Sequence, residues 1–209
     1  MMDDRYVQAL HRLNTLPADH PRRGWFEEKG FSPLRLEISL AFFNDESRQL
    51  LDLAAPSVES RVEAIRLLRQ QGRPVFLRID PLFPRDPLGG DKIMADFGLP
   101  DVQSMSDLEG LVSFGRDVGV QGIIYSVAKI TRPQKGGLTP VMQQMKRVYQ
   151  HLSAEKSLVF HGGSWRHPEN VATQLVVGPF LELCNRYPLP YYENPDFAPE
   201  RIFLFFPFS

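Results

Sequence analysis

Cysteine is nearly absent from this sequence: 209 residues carry one, Cys184. A single thiol excludes an intrachain disulfide, and it cannot form a thiolate cage for a metal. Net charge is also nearly absent, at −1, so no overall basic field draws nucleic acid or an anionic membrane. No apolar run reaches the length of a membrane span. The opening stretch, MMDDRYVQAL, is acidic and has no apolar core, unlike a signal peptide. These absences point to a cytoplasmic protein. No repeat of fixed period and no low-complexity tract is visible. Hydrophobic residues make up 43% and charged residues 23%, a globular balance with enough length for one sizeable core.

The stretch Arg35 to Pro84 organises the rest. Leu36, Ile38, Leu40 and Phe42 alternate with Glu37, Ser39 and Ala41, the period of a strand. Ser57 offers an N-cap oxygen, and Val58, Val62, Ile65 and Leu68 follow at helical spacing. Gly72 stands where a helix ends. From Pro74 to Asp80, Val75, Leu77 and Ile79 alternate with Phe76, Arg78 and Asp80. Strand, helix and strand with a compact crossover form a βαβ unit, which is parallel and right-handed.

The remaining segments continue that rhythm. Residues 3 to 13 read as a short helix, and 14 to 24 as a turn-rich connection. Trp25, Phe26 and Phe31 around Glu27, Glu28 and Lys29 read as a last helical turn before the first strand. After Pro84 comes a long loop, and its Gly89-Gly90-Asp91-Lys92 lacks the spacing of a phosphate loop. Ser106 and Glu109 form a capping box, with Leu108, Leu111, Val112 and Val118 as the apolar face and Gly119 at the end. Gly122 to Ile130 reads as a third strand. Thr139 caps a helix with Pro140 at its first position and Val141, Met145, Val148 and Leu152 on its stripe. Residues 157 to 167 read as a short strand and a glycine turn, and 179 to 186 as a short helix. The aromatic tail RIFLFFPFS is expected to pack on its own domain.

Ser39, Pro56, Arg61, Glu63, Ala64, Gly72, Pro74, Arg78, Pro81 and Pro84 together give an order that resembles the later part of the radical S-adenosylmethionine core, closest to the branch that looks like spore photoproduct lyase. The resemblance covers roughly residues 35 to 130. It implies a partial β/α barrel of parallel strands with crossover helices and an irregular C-terminal extension. The division expected is 1–34 as an N-terminal helix and connection, 35–153 as half of the barrel, and 154–209 as the extension packed on it. A complete barrel runs to about 250 residues, and the lone N-terminal helix fits a chain that begins inside a longer ancestral gene.

The resemblance also implies cofactors: S-adenosylmethionine and a 4Fe–4S cluster. Members of that family hold the cluster with three cysteines spaced C-x-x-x-C-x-x-C. This chain has no such motif, so it cannot bind the cluster alone, and no metal ligands are assigned. In barrels the reactive face lies at the C-terminal ends of the strands. The cofactor-binding candidates are Ser39, Arg78, Glu37 and Asp80. By resemblance, Ser39 would touch the ribose, where a small hydroxyl both donates and accepts. Arg78 would grip the methionine carboxylate, and the alternative is a salt bridge of Arg78 with Asp80 or Glu37. From the third strand, either Tyr125, Val127 and Lys129 or Ile124, Ser126 and Ala128 face inward. Asp52, Arg61 and Glu63 are expected to hold the strand-to-helix connection.

His161-Gly162-Gly163-Ser164 has no G-x-S-x-G elbow to accompany it, which removes a lipase-like reading. His161 and His167 lack carboxylate or cysteine companions at metal spacing, and Cys184 reads as a buried inert thiol. Two functions follow. One is a fragment or split subunit of a radical S-adenosylmethionine enzyme, inactive alone, with a companion chain carrying the cysteines or a homo-oligomer formed through the strand edge at 35–43. The other is a catalytically inactive binding or scaffold protein that retains the half-barrel. An unrelated barrel hydrolase finds no triad or metal cluster to support it.

Overall fold

The computed structural model describes residues 17–21, 23–24, 28, 36–51, 54–84, 93–99, 102–133, 135–153 and 158–193. The expected helix at 3–13, the aromatic group Trp25, Phe26 and Phe31, Asp52, the Gly89–Lys92 stretch and the tail at 201–209 lie outside them.

The fold is mixed α/β around a four-stranded sheet in the order β1-β2-β3-β7, every pair parallel. β1 is Leu36–Ser39, β2 Val75–Leu82, β3 Gly122–Val127 and β7 Tyr191–Glu193. Between β1 and β2 lie α1, Asp45–Leu51, and α2, Val58–Gln70. α2 begins where Ser57 accepts from the Ser60 N–H and ends at Gly72, which adopts a φ of 71° that a side chain would strain. α3 is Ile93–Asp96 and α4 Met105–Val118.

α4 starts two residues earlier than the Ser106–Glu109 box predicts. Ser104 is the cap: its hydroxyl accepts from the Asp107 N–H, and the Asp107 carboxylate accepts from the Ser104 N–H. Two overlapping boxes exist in QSMSDLEG, and the earlier one is used. Asp107 also takes the Asn44 amide at 2.9 Å, and Asn44 caps α1 through the Ser47 N–H at 2.7 Å. The chosen box thus fastens the starts of two helices together.

The third strand also differs from its expected extent. It stops at Val127, and Ile130–Thr131 is a separate strand, β4, in a second sheet of order β4-β6-β5. β5 is Val159–His161 and β6 Ser164–Arg166, an antiparallel hairpin closed by Gly162 and Gly163 at φ 56° and 75°, the left-handed pair a two-residue hairpin turn requires. α5, Pro140–Leu152, is capped by Thr139 with Pro140 in its first turn, as its sequence predicts. α6 is Glu169–Ala172; a π-helical turn at Thr173–Val177 leads into α7, Gly178–Arg186. The fourth strand of the main sheet therefore comes from beyond residue 154.

Two apolar cores result. In the first, Leu36, Leu40, Val75, Leu77, Ile79, Ile123 and Tyr125 from one sheet face meet buried residues of α2, α4 and α7. Consecutive parallel strands with right-handed crossovers put their helices on the same side. The packing is close: a Cβ on Gly115 of α4 would lie 2.9 Å from Leu77 Cδ1. The second core joins Ala41, Phe42, Phe83 and Ala128, which follow β1, β2 and β3, to Met145, Val148 and Tyr149 of α5. It sits beyond the C-terminal ends of those strands.

Candidate functional site on the polar face of the sheet

Side chains alternate along a strand, so burying Leu77 and Ile79 against the helices turns Phe76, Arg78 and Asp80 to the opposite face. The register extends that face across the sheet. Glu37 is paired with Phe76, Ser39 with Arg78, and Arg78 in turn with Ile124. All four sequence candidates, Glu37, Ser39, Arg78 and Asp80, therefore share one face, opposite the helices. Of the two choices left open on the third strand, the structure takes Ile124 and Ser126.

Arg78 is the centre of a polar network. Its Nη2 and Nε donate to Asp80 Oδ2 at 2.7 and 3.2 Å, and its Nη1 donates to Glu37 Oε2 at 3.4 Å. The Ser126 hydroxyl donates to Asp80 Oδ1. Side-chain exposures of 25% for Arg78, 15% for Glu37 and 26% for Asp80 mean that water reaches the network without swamping it. Among the described residues, two carboxylates meet one guanidinium in this network. The guanidinium's fork is spent on its own carboxylates, so a ligand carboxylate would have to displace one of them. The arrangement suits hydroxyls and cationic groups better. Ser39, at the C-terminal end of β1, is exposed.

Toward the N-terminal ends of the strands the face is closed by aromatics. Phe76 and Tyr192 meet edge-on with centroids 6.2 Å apart. Gly122 is required beneath them, since a Cβ there would come within 2.8 Å of the Pro190 carbonyl and 3.0 Å of Tyr192 Cε2.

The connection after β1 is held by residues the sequence reading partly identified. Arg61 Nη1 donates to the Ser39 carbonyl at 3.0 Å. Asp45, which that reading missed, accepts from Arg48 at 2.7 Å and from the Val58 N–H at 3.1 Å. The Arg48 guanidinium and the Val58 N–H hold its carboxyl well below the usual carboxylate range. Gln103, 2% exposed, was missed as well. It donates to the Ala41 and Pro81 carbonyls at 2.8 and 3.0 Å and accepts from the Phe83 N–H at 3.0 Å, tying together the exits of β1 and β2. A glutamine amide has the donors and the acceptor for all three bonds.

Among the described residues no group of three histidine, cysteine, aspartate or glutamate side chains is placed to hold a metal. Cys184 lies 1% exposed in the first core, on the helix side of the sheet, and burial pushes its thiol up to about 12. It is remote in character from a thiolate ligand. His161 is exposed. His167 is buried against Tyr149, rings stacked at 4.3 Å, with Nδ1 2.9 Å from the Ser153 hydroxyl. No described helix is long and apolar enough to cross a membrane.

No family model matches this chain, and neither a curated protein nor a solved structure matches it.

Proposed function

We propose that the polar sheet face is one wall of a ligand cavity in a partial β/α barrel, and that the chain is a fragment or split subunit of a radical S-adenosylmethionine enzyme. The observation that carries this reading is the sheet itself. Four parallel strands in the order β1-β2-β3-β7 bury one face under helices and present Glu37, Arg78, Asp80 and Ser126 on the other. Consecutive parallel strands with their helices on one face are the arrangement that half of such a barrel would have, and the polar groups on the other face would then line its interior. Ser39 and the carboxylate-rich network would meet the hydroxyl and cationic groups of S-adenosylmethionine. The role of carboxylate grip for Arg78 is not favoured by its two ion pairs.

The cluster does not fit this chain. Its one cysteine is buried on the far side of the sheet, and iron–sulfur clusters of this kind need several thiolates. The cysteines would come from a companion chain. A homo-oligomer formed through the β1 edge, for which the Arg61 guanidinium would have to leave the Ser39 carbonyl, is the other arrangement in which the wall becomes a cavity.

The second reading, a catalytically inactive binding or scaffold protein, is favoured by one feature: the apolar core of Phe42, Phe83, Ala128 and α5 beyond the C-terminal strand ends, where barrel enzymes keep their chemistry. Anaerobic reconstitution separates the readings. The chain alone is expected to stay colourless and iron-free, and co-expression with a protein carrying C-x-x-x-C-x-x-C is expected to give a coloured complex. Stoichiometric iron in the isolated chain would overturn the split-subunit reading. Failure of any cysteine-bearing companion to bind would favour the scaffold.

A further inference from the structure

The near-zero net charge conceals a segregated one. Between Val118 and Glu169 the sequence has seven lysines and arginines and a single acid, Glu155. That span builds β4, α5 and the β5–β6 hairpin. Lys129, Arg132, Lys135, Arg147 and Arg166 are exposed, and none is in an ion pair among the described residues. Arg132 lies at the hairpin turn, its N–H donating to the Gly163 carbonyl at 2.8 Å.

Within this basic surface β5 is an edge strand. Val159 and Phe160 are 48% and 50% exposed. They are consecutive residues of a strand, so they point to opposite faces of the sheet. The pair that closes a two-residue hairpin turn exchanges both its hydrogen bonds, and pairs alternate from there. With His161 opposite Ser164 and Phe160 opposite Trp165, the Phe160 N–H and carbonyl point outward, away from β6. The edge therefore offers a backbone donor and acceptor flanked by an apolar side chain on each face, with Arg166 opposite Val159 on β6 and Arg132 at the hairpin turn as the neighbouring cations.

We propose that β5 is a docking edge for an acidic, apolar peptide segment that adds as a further strand. An added strand covers both faces at once, which matches Val159 on one side and Phe160 on the other. A single-stranded nucleic acid stacks on rings of one face, and the neighbouring Trp165 ring is already covered by Lys146 Nζ at 3.9 Å. That leaves one ring for bases and nothing for Val159 to do. Arg132 and Arg166, with the cationic surrounding sequence, favour an acidic partner and speed its encounter.

The test uses the full chain and a fluorescein-labelled synthetic peptide that alternates glutamate with valine, isoleucine and phenylalanine. Its lysine-for-glutamate counterpart, an oligothymidylate and phosphatidylserine vesicles serve as controls. The acidic peptide is expected to bind, more weakly as salt is raised, and the lysine peptide is not. Phe160→Pro removes the outward N–H together with the ring, two parts of the docking edge, while an edge strand tolerates the missing donor, and is expected to weaken binding about tenfold or more. The surface pair Arg132→Glu and Arg166→Glu, which leaves the strand itself intact, is expected to weaken it at least as much. Undiminished binding by both variants, tighter binding of oligothymidylate or vesicles, or no binding of the acidic peptide at millimolar concentration would each overturn the proposal.

Discussion

Arg61 Nη1 donates to the Ser39 carbonyl across 3.0 Å, and that carbonyl is on the outer edge of β1. Leu36 and Leu40 donate to Pro74 and Arg78 of the neighbouring segment, so Glu37 and Ser39 turn their backbone groups away from β2. A buried guanidinium on an edge carbonyl occupies the place where another strand would pair. Arg61→Ala is expected to lower stability by about 2 kcal/mol, the scale of a charge-assisted bond left unmade, and to increase self-association. Urea denaturation and sedimentation velocity would check the two effects. A variant as stable as the parent and in the same association state would remove Arg61 from the role of edge guard.

Gln103 serves three backbone groups from one buried amide. Gln103→Leu keeps the volume and strands two carbonyls and one N–H, so a loss of about 3 kcal/mol or more is expected from unsatisfied buried groups. The loss should appear as a lower urea midpoint without a change in slope.

Gly115 lies inside α4, where alanine would ordinarily stabilise a helix by about 1 kcal/mol. Here the added Cβ meets Leu77, a residue with no exposure, at 2.9 Å. Gly115→Ala is expected to destabilise by about 1–3 kcal/mol, the cost of overpacking. A melting temperature that rises would show that the helix has room to move off the sheet.

His167 links stability to pH. Burial lowers its pKa from 6.5 to about 4. The unfolded chain therefore takes up a proton at a higher pH than the folded one. The contribution of the neutral imidazole is complete above about pH 6.5 and is lost as pH falls from there toward 4. The full effect is on the order of 3 kcal/mol. His167→Phe is expected to flatten the acid side of the stability curve between those values, and the imidazole resonances of the parent should titrate near the lower one. A titration near 6.5 in the folded protein would contradict the burial argument.

The main sheet was legible where period-two patterning is long enough to see. Leu36 to Ser39 and Val75 to Ile79 alternate cleanly, which put Glu37, Ser39, Arg78 and Asp80 on one face, but the pattern read on through Phe42 overruns β1, which ends at Ser39, and Ala41 and Phe42 are both buried. Thr139-Pro140 marked α5 for the same kind of local reason. β7 was not legible, because Tyr191, Tyr192 and Glu193 show no alternation and owe their strand to pairing with β3. The start of α4 was misread because Ser104 and Ser106 each open a capping box, and the choice was made by Asn44, distant in sequence. Gln103 gave no signal, since one glutamine in a loop has no period. Ser126 was one of two alternatives until the register of β3 against β2 selected its face.

The polar face of the sheet is the centre of the functional account, and one measurement addresses it most directly: an amide NMR titration of the full chain with S-adenosylmethionine. Without a cluster to chelate it, the ligand has only a few hydrogen bonds and charge contacts on this wall, so a dissociation constant on the order of millimolar is expected. The shifts should concentrate at Ser39, Arg78, Asp80 and Ser126 and weaken in Asp80→Asn, which removes one of the two carboxylates bound to Arg78. Saturable shifts centred elsewhere, or none along β1, β2 and β3 at millimolar ligand, would contradict the assignment of this face as the cofactor wall.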